Sequence, residues 1–455
     1  MDLMTQTFQD KIRNKSYNQV LDTIAEYLSM ISRKLFVDIA YKKKSRKVLK
    51  KEYIREYDIL ARQFNSIYSQ VQGLIDSRLA LLEVKITDKL LRIDNLTYKI
   101  SSLEEEVLGL SHFLNSTNQK HPDFRKTVSE KKKKKSKIHH KKRKRQAFLH
   151  QLTRLEEDLR DKRPRVCFGT KKLFSKQFKG VNHEAWLKEW RLSRSHMFFL
   201  IGSKDERHGN QNCQFDGKSI RLRIPPKIQK DLGIRDILIE DIDFNYGHDI
   251  ICKCACHYGY KLNKSYREEK VYQSISYRFI RKLGTWYIHA SVQVERPKEI
   301  TSPYVGALGV DFNVNHVNIY HIDRYGNPIE HQTLKYEIYS KSTNQLTDLL
   351  EQVAGQITDF AIENGLMVVI EALDFKDKKL FLKRKSKKYR RMLSNFPYMK
   401  YTNIMKTKCY KRGVALCMVN PRNTSKKGKK VIKRLGCSSH DGAAYIIGRS
   451  GLGYK

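Results

Sequence analysis

Acidic residues are scarce in this chain. Its 455 residues hold 48 Asp and Glu against 90 Lys and Arg, so the formal net charge is +42. A surplus of this size favours a polyanionic partner, because basic side chains neutralise phosphate groups. The charge is spread over the whole chain and not collected on one amphipathic helix, which argues against a membrane surface. The length predicts about three domains.

Long apolar runs and paired cysteines are also missing. No apolar segment approaches the about 20 residues of a membrane-spanning helix, and the N-terminus, Met1 to Gln6, lacks the features of a secretion signal. The eight cysteines are scattered, which suits a reducing cytoplasm. Cys252-Lys253-Cys254-Ala255-Cys256-His257 would place three thiols on one face of a strand, but zinc chelation normally uses a turn and Cys-x-x-Cys spacing. We therefore expect no membrane span and no structural zinc.

The first domain, residues 1–165, is predicted to be helical. Apolar residues at steps of three and four from Ile75 to Leu114 predict a long helix with a coiled-coil-like seam. We expect this seam to pack within one chain, as part of a bundle or long hairpin in a monomer. A dimer zipper is the alternative.

A strongly basic run, 131–145, contains 11 Lys or Arg in 15 residues. It predicts a solvated hairpin tip that holds a nucleic-acid backbone without reading sequence. A nuclear-localisation signal is the alternative. The candidate binding residues are Lys131, Lys132, Lys133, Lys141, Arg143 and Arg145.

Residues 166–300 change character and form the second predicted domain. Ile220 to Pro225 and Gly284 to Val294 alternate apolar and polar residues, which predicts half-buried strands of a short-stranded β-barrel. Trp186 and Trp190 are four residues apart, which is typical of helix packing rather than of base stacking.

Two buried strands of the third domain, 301–455, end in acidic residues. The first runs from Val305 to Phe312 and carries Asp311, and the second runs from Leu366 to Ile370 before Glu371. Residues 346–362 between them have helical spacing, so the two strands can be parallel neighbours with both carboxylates at one edge. Such a pair resists ionisation unless a cation lies between its members. Mg²⁺, here two ions, suits oxygen ligands and phosphodiester hydrolysis. Ordinary strand-end acids are the alternative.

A third motif, Gly436 to Arg449, contains His440 and Asp441 before the small residues Gly442-Ala443-Ala444. Here the sequence resembles the OrfB/TnpB proteins of insertion sequences and, more distantly, the type V CRISPR effector nucleases. Gly309-Val310-Asp311 is similar to their first motif and Val368 to Phe375 to their second. Val419 to Ser425 is similar to the segment before their third motif. The resemblance covers roughly residues 165–455.

Two departures from the family pattern affect the site. The segment Ser425 to Gly436 holds lysines and glycines where most relatives have a zinc knuckle. In addition, aligning the small pair Ala443-Ala444 puts His440 at the position where the family has its third acid. Imidazole can ligate a metal but contributes no negative charge. We favour His440 over Asp441 as the third ligand, and an inactive site is a further alternative.

The resemblance implies an α+β multidomain protein: a helical recognition domain, a wedge-type β-barrel and a RuvC-like RNase H-fold domain. It implies an RNA-guided, Mg²⁺-dependent endonuclease of double-stranded DNA, active at the nucleoid in a prokaryotic cytoplasm, with guide RNA as partner. A basic segment after Glu371 would hold nucleic acid near the metal through Lys383, Arg384, Lys387 and Arg390. A cleavage-inactive, guided repressor and, ranked lower, a transposase are the alternatives.

Overall fold

The structure is a computed structural model that describes residues 3–177, 180, 182–256, 259–262, 268–271, 273–338, 341–372 and 398–454. It divides into two compact units, Thr5–Gln293 and Met1–Met4 with Val294–Lys455. The predicted mixture of helices and sheets in more than one unit is confirmed. The division into three domains at 165 and 300 stays a prediction. In the described ranges no helix is long and apolar enough to cross a membrane.

Residues 18–160 are mainly helical, as predicted, whereas Leu3–Lys11 forms a strand that the helical prediction for 1–165 missed. The helices are α1 (Asn18–Ala40), α2 (Arg46–Glu56), α3 (Ala61–Ser116) and α4 (Phe124–Arg160). Helices α3 and α4 pack against each other as a long hairpin whose turn spans 117–123. The predicted seam of α3 contributes buried Ile75, Leu82, Ile93 and Ile100.

The basic run 131–145 lies inside α4 and not at the hairpin tip, which corrects the predicted placement. Lys and Arg are good helix formers, so the run does not interrupt the helix. Ile138 is buried toward α3, and Lys134 bonds Glu106 of α3 at 2.8 Å. Of the six predicted binding residues, Lys132, Lys133 and Arg143 are exposed and Lys131, Lys141 and Arg145 are half-buried.

The remainder of this unit contains short strands and helices. The strands are β1 (Leu3–Lys11), β2 (Met197–Leu200), β3 (Cys213–Phe215), β4 (Ile220–Arg223), β5 (Asp236–Ile239), β6 (Gly259–Leu262), β7 (Glu268–Val271), β8 (Ser276–Lys282) and β9 (Thr285–Glu295). They form sheets of order β1-β9-β8-β2, β3-β4-β5 and β6-β7. The helices are α5 (Lys171–Lys176), α6 (His183–Arg194), α7 (Pro226–Leu232) and α8 (His248–Cys256). Both predicted alternating strands are confirmed, and closure into a wedge-type barrel stays a prediction.

Cys252 to Cys256 lie in helix α8, so the strand considered for this run is wrong, and His257 lies outside the described ranges. Buried Ile251, Cys254 and Ala255 follow helical rather than alternating spacing. The Cys254 thiol donates a hydrogen bond to Gln273 Oε1 at 2.8 Å, and burial raises its pKa to about 11. A thiol held protonated in this way is a poor metal ligand.

The Val294–Lys455 unit is built on one five-stranded sheet. Its elements are β10 (Ser302–Phe312), β11 (His316–Asp323), β12 (Pro328–Lys335), α9 (Thr343–Glu363), β13 (Leu366–Glu371), α10 (Tyr398–Arg412), β14 (Leu416–Val419), α11 (Thr424–Leu435) and α12 (Ser439–Gly451). The strand order is β12-β11-β10-β13-β14. Strands β10, β13 and β14 are parallel, and β11 is antiparallel to both of its neighbours.

Helices cover both faces of this sheet. Leu308 and Val310 of β10 pack with α9 and α10 on one face, whereas Ala307 faces α12 on the other. Helix α12 lies so close to the sheet that a Cβ atom on Gly309 would be 2.0 Å from the Ala444 carbonyl oxygen. The small residues of the third motif therefore allow the predicted tight packing, and they set the position of the helix N-terminus above the carboxyl ends of the strands.

Candidate catalytic site

Asp311 and Glu371 lie at the ends of neighbouring parallel strands. Strands β10 and β13 pair with Gly309 opposite Val369, and each strand continues two residues to its acid. Because side chains alternate across a strand, Asp311 and Glu371 face the same side as Gly309, toward α12. The predicted parallel neighbours, joined through helix α9, are confirmed.

His440 reaches this edge from the first turn of α12. Its Nδ1 lies 3.1 Å from Asp311 Oδ2, and its side chain is 47% exposed while that of Asp311 is 15% exposed. The hydrogen bond to Asp311 raises the pKa of His440 above its usual value. The His316 ring packs edge-on against His440 with centroids 4.8 Å apart, and burial followed by repulsion from His440 lowers the pKa of His316.

Asp441 faces the interior, where it supports the fold. It is 5% exposed, and its carboxylate accepts hydrogen bonds from Asn318 Nδ2 at 2.6 Å and Ser438 Oγ at 2.7 Å. Ser438 in turn accepts from the Asp441 backbone N–H, which makes the pair a capping box for α12. Burial alone would raise the pKa of Asp441, but the hydrogen bonds from Ser438 and Asn318 lower it below its usual value. The oxygens of Asp441 are therefore already engaged.

Three polar residues that support the acids were not predicted. Asn313 donates to Asp311 Oδ2 at 2.9 Å, and the Thr424 hydroxyl donates to Glu371 Oε1. Asn318 lies directly opposite Asp311 on β11 and binds Asp441. The sequence held one signal for Asn318, which is a polar residue between apolar residues of a strand. Its side chain therefore points away from theirs, and pairing opposite Asp311 puts it on the same face as that acid.

A basic helix beside the acids was also missed. Segment 424–435 forms α11, and Thr424 anchors its start at Glu371. Gly428 lets α11 lie against α12, since a Cβ there would be 2.7 Å from the Ala443 nitrogen. The exposed cations of α11 are Lys426, Lys427, Lys429, Lys430, Lys433 and Arg434.

The donor set suits a hard divalent cation, although its members are now engaged with protein groups. Asp311 and Glu371 offer carboxylate oxygens, which Mg²⁺ prefers, and His440 offers a ring nitrogen. Within the described ranges no three His, Cys, Asp or Glu side chains cluster closely enough to hold a metal ion. His440 pairs directly with Asp311, and Thr424 occupies Glu371 Oε1, so these contacts must rearrange for the three residues to share an ion.

Several predicted residues lie outside the described ranges. These are the nucleic-acid candidates Lys383, Arg384, Lys387 and Arg390. Their roles stay predictions.

No protein-family model matches the chain, and no curated protein matches it. Similar solved structures include T. thermophilus RuvC in complex with a Holliday junction substrate, which is 12% identical over 31% of this chain and 88% of that chain, with a TM-score of 0.23. A CRISPR-Cas12f ternary complex is 12% identical over 97% of this chain and 98% of that chain, with a TM-score of 0.23. A Cas12i–crRNA–dsDNA complex is 9% identical over 85% of this chain and 63% of that chain, with a TM-score of 0.33. At these values the comparisons assign neither a family nor an activity.

Proposed function

We propose that this protein is an RNA-guided DNA endonuclease whose RuvC-like, RNase H-fold domain cleaves phosphodiester bonds with the help of Mg²⁺. The observation that supports the nuclease part is that Asp311 and Glu371 end neighbouring parallel strands, with His440 in contact with Asp311. The RNA guide and the DNA target follow from the resemblance of three motifs, in the order Asp, Glu and third-motif residue, to the OrfB/TnpB proteins. The wedge-type barrel belongs to the same proposal.

Asp311, Glu371 and His440 would hold the metal ions. When bound, Mg²⁺ supplies an activated water and neutralises charge that develops on the phosphate. Asn313 fixes one oxygen of Asp311, and Thr424 fixes one oxygen of Glu371, which limits the conformations that the two carboxylates can adopt. His440 must release its proton and its contact with Asp311 before Nδ1 can act as a ligand.

The charge around the acids supports a nucleic-acid substrate. The exposed lysines of α11 follow Thr424 along a helix that starts at Glu371, and such a run of cations favours a phosphate backbone as ligand. Backbone contacts of this kind position a strand without reading its sequence. Selection of the target would then come from pairing with the guide RNA.

The decisive experiment is cleavage of a double-stranded target that matches RNA copurified with the protein. We expect sequencing to find a discrete RNA, and the complex to cut the matching target in Mg²⁺. Asp311→Asn should abolish cutting while target binding remains. Asp348→Asn is the matched control, because Asp348 is an exposed carboxylate on α9 that accepts a bond from Gln352 of the same helix.

Each alternative has a distinct outcome. If the unmodified chain binds the matched target but does not cut it, the protein is a guided repressor. This alternative is retained because His440 stands where the resemblance would place an acid. Strand-transfer products from an isolated element end would identify a transposase. Absence of any discrete copurified RNA would refute the guided part of the proposal.

A further inference from the structure

A cavity of ≈ 430 Å³ lies within the Thr5–Gln293 unit, in the unit that does not contain the acid pair. Helices α1 and α3, strand β2 and the segment 167–170 contribute to its wall. Its lining combines half-buried aromatic rings, Phe168 and Phe199, with the hydroxyls of Ser29, Ser32 and Ser193. The volume falls within the range of about 300–1,000 Å³ that small-ligand sites occupy.

Arg194 gives this cavity an unsatisfied positive charge. The residue ends helix α6 and lines the cavity, with its guanidinium 5.4 Å from the centroid of the Trp190 ring. Its Nε is buried and has no hydrogen-bond partner among the described residues. The C-terminal end of α6 favours a cation nearby, but a helix end does not satisfy the buried N–H.

Arg194 has cationic neighbours that do not line the cavity. Burial followed by repulsion from Arg194 lowers the pKa of Arg33, and burial followed by repulsion from Arg191 lowers the pKa of Arg194. Neither Arg33 nor Arg194 forms an ion pair with an acidic residue in the described ranges. Arg281, on the same wall, is different, because Asp22 binds it at 2.8 Å.

Partly buried cations without a counter-ion cost free energy, so such groups are normally paired. A phosphate group would supply the missing counter-ion, because guanidinium N–H groups bind phosphate oxygens through charge-assisted, often bidentate hydrogen bonds. The aromatic rings beside it suit a nucleobase, which stacks on such rings whatever its identity.

We propose that this cavity binds a nucleotide, with its phosphate on Arg194 and its base against Phe168 or Phe199. The nucleotide is either free or one unit of a single strand, and the two sources present the same phosphate and base. The site is separate from Asp311, Glu371 and His440, so its test does not depend on cleavage.

Binding of two probes to the full chain, freed of nucleic acid, tests the proposal. The probes are adenosine 5′-monophosphate, measured by calorimetry, and a short 5′-phosphorylated single-stranded RNA, measured by fluorescence anisotropy. Arg194→Gln should weaken at least one probe by about ten-fold or more, the effect of removing one charge-assisted hydrogen bond. Lys188→Gln is the matched control, since Lys188 is an exposed cation on the same helix that does not line the cavity, and it should change affinity by less than about two-fold.

The two probes distinguish the source of the nucleotide. Weaker binding of both by Arg194→Gln indicates a site that accepts free nucleotide, and weaker binding of the RNA alone indicates a unit within a strand. Equal binding by Arg194→Gln and Lys188→Gln for both probes would overturn the proposal, as would failure of the unmodified chain to bind either probe.

A stability measurement separates binding from folding. Without ligand, Arg194→Gln should unfold at the same or a higher temperature than the unmodified chain, because it removes a charge that has no partner. A lower unfolding temperature would mean that the guanidinium supports the fold through protein contacts, and the proposal would fail.

Discussion

Replacing either of two neighbouring residues, His440 and Asp441, should affect different properties of the protein. Asp441→Ala removes one of two acceptors of Asn318 Nδ2, the other being Thr333 Oγ1, and it removes the carboxylate half of the capping box with Ser438. Loss of a buried hydrogen bond to a carboxylate costs about 1.5–3 kcal/mol, and loss of half of the capping box costs up to about 1 kcal/mol. The free energy of unfolding of the Val294–Lys455 unit should therefore fall by roughly 2–4 kcal/mol.

His440→Ala should leave this stability almost unchanged. It removes one half-exposed ion pair, worth roughly 0–1 kcal/mol at such a site. Cleavage should fall by at least about 10–100-fold, the reduction seen even for groups that only support metal ligands.

Hydrogen exchange of the α12 and β11 amides is the appropriate stability assay. The three tryptophans, Trp186, Trp190 and Trp286, all belong to the other unit, so their fluorescence does not report on this one. Cleavage is measured in parallel on the same preparations. If Asp441→Ala kept normal exchange but abolished cleavage, while His440→Ala still cut the target, the assignment of the two roles would be reversed and our reasoning refuted.

Three further predictions concern packing, charge and pH. Gly309→Ala should destabilise its unit by about 1–3 kcal/mol or more, because its Cβ would meet the Ala444 carbonyl. Gly355→Ala is the control in the same unit, because its Cβ would meet Lys408 Cε at an ordinary 3.9 Å, and it should be neutral or slightly stabilising in exchange of the same unit. Changing Lys429 and Lys433 of α11 to Gln should lower the affinity for DNA of every sequence. The slope of the logarithm of the binding constant against log salt concentration should fall by about 0.9 for each phosphate that is no longer neutralised. An unchanged slope would mean that the DNA backbone does not contact these lysines. Burial raises the pKa of Asp38, but hydrogen bonds from Lys42 and Tyr53 bring it below its usual value, so its stabilisation is present at neutral pH and disappears as the pH falls below about 4. Asp38→Asn should therefore lower the urea midpoint, read by Trp fluorescence, at pH 7 and much less at pH 3.

Local sequence patterns predicted the elements that carry the acids. An apolar strand, a helix-spaced segment and a second apolar strand can pair in parallel only through a crossover, so Asp311 and Glu371 were expected at one edge. Local patterns failed where two periodicities competed. The alternating cysteines of 252–256 suggested a strand, but the apolar residues beside them have helical spacing and α8 forms. The basic run suggested a hairpin tip, but Ile138 is buried within it and α4 stays helical.

The choice between His440 and Asp441 depends on the rotation of α12 about its axis. Successive residues on a helix differ by about 100°, so only one of the two can face Asp311. Alignment of the small residues favoured His440, and the contact at 3.1 Å agrees with that preference. The role of Asp441 as a cap that also binds Asn318 depends on a strand far away in the chain.

The amino-acid sequence by itself determined the charge surplus, the helical and strand segments, and the order of the acidic motifs, because these depend on composition and on short-range periodicity. Only the tertiary structure decided which side chain meets Asp311, that helix α11 starts at Glu371, and that the buried Nε of Arg194 has no partner among the described residues. Those outcomes depend on contacts between segments that are distant in the sequence. Close approaches such as that of Gly309 to Ala444 determine the position of a helix on the sheet.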